Sequence, residues 1–265
     1  MHVSLTRDRD RCQRHENEPL FNIIIRGLFE EGMVPPGDVL DIGANNGDWA
    51  CFYGCLDLDR EVHAMEPNPL LADSISCPTT NVKKYNMAMS SQSGKINFAP
   101  QDKKTFVGDL KSKVADDGKV TVTTMDNFFQ SRGSFPGFMH LDVEGYEQDL
   151  IKGGLKTITE YSPLFSYEVH LNSSLARSTI EEVEKLGYIS YMINEVCGVF
   201  EGCRNLLAFP SKNMTRYETG NILDFAINSK ALVYINSANS DDVFNKYKGA
   251  ALAWGDSGVF GESTT

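Results

Sequence analysis

Two short runs of this chain carry side chains suited to moving a proton or holding a cation. FMHLDVEGYE ends an apolar run with Asp142 and Glu144, and PLFSYEVHL repeats the pattern with Glu168 and His170. Residues i and i+2 share one face of a strand, so each pair points one way from the end of its strand. If the two strands are neighbours, three carboxylates and one imidazole meet on one rim. An imidazole with a pKa near about 6.5 is largely neutral at pH 7, and a carboxylate beside it fixes its orientation, which makes His170 the general-base candidate. Asp142 reads as the holder of an amino group or a hydroxyl, and Glu144 as the group that orients His170 or binds a metal. Blander readings stand beside these: Glu144 as the cap of a helix starting near Tyr146, and His170 as a polar residue bonded to a loop. The grouping also suits Mg²⁺, but no supporting shell is readable from sequence, and metal is not the favoured reading. Asp126 reads as a helix cap, and Phe128, Phe129, Phe135 and Phe138 as core.

A second constellation lies upstream, in DVLDIGANNGDWACF, residues 38–52. Its apolar run predicts a strand that turns sharply into a helix, with Gly43 and Gly47 supplying backbone freedom and room for a ligand near the main chain. Glu66, at the end of EVHAMEP, falls where a carboxylate on the next strand accepts hydrogen bonds from both ribose hydroxyls. A glycine turn with an acid is a nucleoside site. The three-glycine phosphate fingerprint is not kept, since Ala44, Asn45 and Asn46 follow Gly43. Asp41 stands where it would repel a pyrophosphate and attract a cation. A nucleoside bearing an ammonium or sulfonium fits better, which points to S-adenosylmethionine.

DIGANNGDW, MEPNP and LDVEGYEQDLIKGG, in this order, resemble the FkbM family of S-adenosylmethionine-dependent methyltransferases over roughly residues 38–210. The resemblance implies that Asp41, Gly43, Asn45 and Gly47 contact the methionine part of the donor, Glu66 and Asn68 the ribose, and Asn86 to Ala88, with Met87 between, the adenine. Asp142 is expected at the donor as well as at the acceptor. Where the family often has an acid after the adenine segment, Ser90, Ser91 and Gln92 stand here. The implied activity is O-methylation of a hydroxyl on a small molecule or saccharide. The alternatives are an N- or carboxyl-methyltransferase on the same fold, or a non-catalytic binder of the nucleoside.

The elements that must position these residues follow from the pattern. Residues 18–32 have the apolar spacing of a covering helix, ended by Gly32, Pro35 and Pro36. Short β-rich runs then alternate with helical segments, which predicts a parallel sheet wrapped by helices. The expected fold is α/β: a Rossmann-like, doubly wound, mostly parallel seven-stranded sheet of the class I methyltransferase kind. KINFAP and KVTVTTMDNF predict a β insertion around the polar segment 101–118, and YISYMI and NLLAFP an antiparallel pair. The expected division is a charged segment and helix over 1–37, the donor-binding domain over 38–210 and an extension over 211–265. That extension is expected to act as a lid or a dimer arm, or to lack order, with Ser240 as a helix cap and a homodimer as one outcome.

Composition narrows the partners. A net charge of −11 disfavours capture of nucleic acid and leaves small molecules, sugars or proteins as partners, with neutral or cationic acceptors favoured over phosphorylated ones. No stretch approaches the roughly 20 apolar residues of a membrane span. The six cysteines lack CxxC pairs, so reduced thiols are the default, with Cys51 and Cys55 as core residues. Cys197 and Cys203 are expected to pair only in an oxidising compartment. With a first stretch too charged for a signal peptide, the chain reads as cytoplasmic. Two glycosylation triplets, at Asn172 and Asn213, would matter in a secretory compartment.

Overall fold

The computed structural model of the chain describes residues 12, 18–96, 119–171, 174–197 and 202–247. Helix α1 (Pro19–Glu30) begins with proline at its first position, where a missing N–H costs nothing, and buries Leu20, Phe21, Ile24, Ile25 and Leu28. Its opening amides are met from a distance: the Glu195 carboxylate accepts from Leu20 N at 2.8 Å and from Phe21 N at 3.0 Å.

The main sheet contains β1 (Asp38–Ile42), β2 (Val62–Met65), β3 (Val82–Tyr85), β7 (Pro136–Leu141), β8 (Leu164–His170), β9 (Tyr188–Ile193), β10 (Cys203–Pro210) and β11 (Leu232–Ile235). Their spatial order is β11-β9-β10-β8-β7-β1-β2-β3. The five strands from β3 to β8 run parallel, while β10, β9 and β11 pair antiparallel. This is the expected doubly wound sheet, with the expected β9–β10 pair. An eighth strand from beyond residue 210 extends it, preceded by α8 (Met214–Glu218) and α9 (Asn221–Asn228), and Ile222 of α9 lies against Gly27 of α1. Helices α2 (Asp48–Leu56), α3 (Pro69–Ser74), α4 (Met125–Arg132), α5 (Glu147–Gly153), α6 (Leu155–Tyr161) and α7 (Ser174–Lys185) make the crossovers.

The run VKKYNMAMS divides at Asn86, because its side chain donates to the carbonyls of Glu66 at 3.0 Å and Pro67 at 2.9 Å. The residues after it leave the main sheet as β4 (Met87–Met89), which with β5 (Gly94–Ile96) and β6 (Val120–Thr123) forms a second, three-stranded sheet. This is the expected insertion. The polar segment 101–118 and the chain end after 247 lie outside the described residues.

Several expectations change. Ser240 is the first residue of α10 (Ser240–Tyr247) and its hydroxyl bonds back to Ser237 O, because the Asn236–Asn239 turn already organises the helix entrance. Phe128, Phe129 and Phe138 are core, but Phe135 is 37% exposed and stacks on Tyr161. Asp126 does cap a helix, although not its own: Thr124 caps α4, while Asp126 accepts from Lys156 N, Thr157 N and Thr157 Oγ1 at the start of α6. Asp126→Ala is expected to lower unfolding free energy by about 1–2 kcal/mol in urea titrations, the range for losing a cap.

The cysteines correct the sequence reading most sharply. All six are paired, as Cys12–Cys55, Cys51–Cys77 and Cys197–Cys203. Two positions four apart on α2 face segments far away in sequence, and only the tertiary fold brings those segments to the helix. The core expectation for Cys51 holds in part, since it is buried within its disulfide. Chain-entropy arguments assign about 3.5 kcal/mol to a bridge closing a separation of 26 residues. Replacing Cys51 and Cys77 together by alanine is therefore expected to lower the melting temperature by roughly 10 °C, measured by circular dichroism.

Candidate active site

The turn after β1 is built from alternate residues in the left-handed region: Gly43 at φ 85°, Asn45 at φ 51° and Gly47 at φ 84°. Glycine adopts this conformation freely and asparagine tolerates it, which explains the small and amide residues of GANNG. The space at the glycines is filled by the chain itself. A Cβ on Gly43 would lie 1.7 Å from the Asp142 carbonyl oxygen, and one on Gly47 would lie 2.7 Å from Ile75. The turn is thus pressed against the end of β7, where Asp142 N donates to Ile42 O at 3.0 Å.

Glu66 fixes the other side of the turn. Its Oε2 accepts from Asn45 N at 2.8 Å and its Oε1 from Asn68 N at 2.7 Å, with the residue 6% exposed. Burial pushes the carboxyl above its ordinary pKa, and the two amides pull it back in part. Asn68 spends its side-chain oxygen capping α3 through Leu70 N. Asn86 is tied to the exit of β2 through the carbonyls of Glu66 and Pro67, and Met87 and Ala88 follow it in the chain.

Asp41 is buried, and its Oδ1 meets His140 Nδ1 at 3.0 Å. Phe21, Trp49 and Tyr53 surround that imidazole with ring centroids 5.3–5.9 Å away. Burial lowers the His140 pKa, but the bond and charge of Asp41 outweigh it and the net shift is upward. The second oxygen, Oδ2, is buried without a hydrogen-bond partner.

The expected rim forms. β7 and β8 are neighbours, and His170 Nε2 lies 3.2 Å from both Glu144 Oε2 and Glu168 Oε1. Glu144 occupies the left-handed region at φ 55°, and it bonds to His170 instead of capping a helix. The loop that carries it is held by Glu147, whose Oε1 accepts from Val143 N at 3.3 Å and Gly145 N at 3.1 Å. Burial raises Glu147 to about 7. Glu168 is buried beside Asp142, and desolvation together with that neighbouring charge pushes its carboxyl far upward. The Glu144 bond raises His170, against the opposing effect of burial.

Four participants were not foreseen: Glu18, His140, Glu147 and Asn205. Glu18 is raised to about 7 by burial and accepts from Asn205 Nδ2 at 3.0 Å. Asn205 pairs across strands with Glu168. His140 left a signal, a lone titratable residue inside the apolar strand PGFMHL, whereas nothing in the sequence marks Glu18 or Asn205.

A doubly wound sheet, with a left-handed turn after its first strand tied to an acid after its second, is the architecture of the α/β methyltransferases. The donor in this class is S-adenosylmethionine. The profile of the Methyltransferase FkbM domain matches residues 41–190, more than half of the chain, and the chain belongs to that family. The 2-O-methyltransferase NoeI of Sinorhizobium fredii is 28% identical over 167 residues, which cover 52% of this chain and 68% of that protein. Among solved structures, the methyltransferase FkbM of Methylobacillus flagellatus aligns with 12% identity and a TM-score of 0.48, over 69% of this chain and 48% of the other. Precorrin-6y C5,15-methyltransferase of Geobacter metallireducens aligns with 14% identity and a TM-score of 0.42, over 71% of this chain and 88% of the other.

Proposed function

We propose that this chain methylates a hydroxyl oxygen on a small molecule or saccharide. The observation that carries the reading is His170 Nε2, 3.2 Å from both Glu144 Oε2 and Glu168 Oε1 at the rim next to Asp142. An oxygen nucleophile must lose a proton as it is methylated, and this cluster is equipped to receive one. NoeI, described as a 2-O-methyltransferase, supports the same acceptor class.

The residues fit the donor. Glu66 retains lone pairs on both oxygens for ribose hydroxyls after serving Asn45 and Asn68. The unpartnered buried Oδ2 of Asp41 suits a cationic end. We assign Asp41, Gly43, Asn45, Gly47 and Asp142 to the methionine side, Glu66 and Asn68 to the ribose side, and Met87 and Ala88 to the adenine side. When bound, S-adenosylmethionine supplies a methyl group activated by its sulfonium. Glu144 and Glu168 hold His170 at the rim, and the neutral imidazole takes the hydroxyl proton.

The setting we infer is an oxidising compartment, because pairing of all six cysteines is uncommon in the cytosol; the cytoplasmic expectation is not carried forward. No helix among the described residues is long and apolar enough to cross a membrane. The test is incubation with methyl-labelled S-adenosylmethionine and a panel of saccharides and alcohols, with products mapped by mass spectrometry and NMR. Label on an ether oxygen is the expected result. Label only on nitrogen or on a carboxylate, or no transfer to any member of the panel, overturns the assignment.

A further inference from the structure

The same rim has a feature that a proton-handling group does not need. Two carboxylate oxygens converge on one imidazole nitrogen: Glu144 Oε2 and Glu168 Oε1 both stand 3.2 Å from His170 Nε2. A ring nitrogen has a single in-plane direction, for one proton or one lone pair, and it serves one close partner well. Two partners at equal distance from different segments bring three potential ligand atoms together. The three ligand atoms lie within 4.8 Å of one another.

A second observation comes from the adjacent strand. Asn205 is the direct cross-strand partner of Glu168, which places it on the same face of the sheet as Glu168 and His170. It is 6% exposed, and its Oδ1 is buried with no hydrogen-bond partner, while Nδ2 is engaged by Glu18. An orphaned carbonyl beside an acid cluster asks for a positive partner. The disulfide Cys197–Cys203 lies against Glu168, and with both sulfurs bonded to each other it offers no thiolate to a soft metal.

We propose that Glu144, Glu168 and His170 hold a divalent cation, with Asn205 Oδ1 supporting the set from the buried side. Two carboxylates and one imidazole suit Mn²⁺ or Mg²⁺. Glu168 anchors the inner side, while the Glu144 and His170 side chains are 33% and 42% exposed, so the remaining positions face outward. That is the arrangement of a site that binds a further ligand. An occupied site makes Nε2 a ligand, so the base role assigned to His170 above belongs to the cation-free chain. The consequence for the acceptor rests on the methyl-transfer reading: a cation with open positions selects a pair of neighbouring hydroxyls, as saccharides carry, over an isolated alcohol.

The test is titration of Mn²⁺ into chelator-treated full-length chain, following the electron paramagnetic resonance signal of free Mn²⁺, with S-adenosylmethionine binding measured calorimetrically on the same samples. One Mn²⁺ per chain is expected, with affinity at least about 10-fold weaker in Glu144→Gln and in His170→Ala. Mn²⁺ should also raise the melting temperature of the wild type and leave both variants unmoved, which separates lost ligation from misfolding. No stoichiometric uptake by the wild type, or uptake unchanged in both variants, overturns the site. Nucleoside binding without Mn²⁺ uptake removes the cation site alone, and Mn²⁺ uptake without nucleoside binding removes the methyl-transfer reading alone.

Discussion

Replacing His170 with alanine is expected to lower kcat/KM by about 10²–10⁴-fold, the span associated with removing a positioned proton acceptor. Binding of the donor should be untouched, because the turn after β1 and Glu66 make no contact that depends on the imidazole. The pH dependence carries the sharper test. The Glu144 bond raises His170 above its ordinary value of 6.5. The base must be neutral, so activity should climb as pH rises through that raised value and flatten above it. In Glu144→Gln the stabilised positive charge is lost, the imidazole releases its proton at lower pH, and the climb should move to lower pH. Rates for the chelator-treated wild type and both variants between pH 5 and 9, with donor saturating, decide the matter. A profile that does not move in Glu144→Gln would show that His170 is not the titrating group, and activity retained in His170→Ala would favour a nitrogen or carboxylate acceptor.

The second large effect belongs to Glu66. Its two oxygens hold Asn45 N and Asn68 N, so one carboxylate joins the left-handed turn to the exit of β2. Alanine there removes two charge-assisted acceptors for ribose hydroxyls, each loss amounting to roughly 1–3 kcal/mol of binding, and the two unpartnered amides lower the stability of the fold. The sum corresponds to a weakening of S-adenosylmethionine binding of about 10²–10⁴-fold, measured by calorimetry. Glu66→Gln keeps one acceptor and should weaken binding less. If alanine and glutamine bind the donor as the wild type does, the nucleoside does not use this carboxylate, and the assignment of the ribose end falls.

The chemistry at strand ends was open to reading because a strand has a period of two: Asp142 with Glu144 and Glu168 with His170 announce a shared face without knowledge of the fold. The turn was legible for a similar reason, since glycine and asparagine are the residues that accept a positive φ. Its cause was less so. The sequence suggested room for a ligand, while the structure shows that the carbonyl of Asp142 and the side chain of Ile75 need that room first.

Contacts between distant parts of the chain could not be read in this way. Glu18 meets Asn205 across 187 positions and Glu195 caps a helix 175 positions away, and no local pattern records such meetings. Cys51 and Cys55 read as small apolar residues because helical spacing reports which face a side chain occupies, not what will be packed against it. By itself the sequence determined the alternation of strands and helices, the acid–imidazole pairs and the nucleoside turn, all consequences of steric preferences and periodicities acting over a few residues. The tertiary structure alone decided that the two strand ends are neighbours, that all six thiols are paired, and that His170 stands between Glu144 and Glu168, because burial and distance between remote segments arise only when the chain has packed.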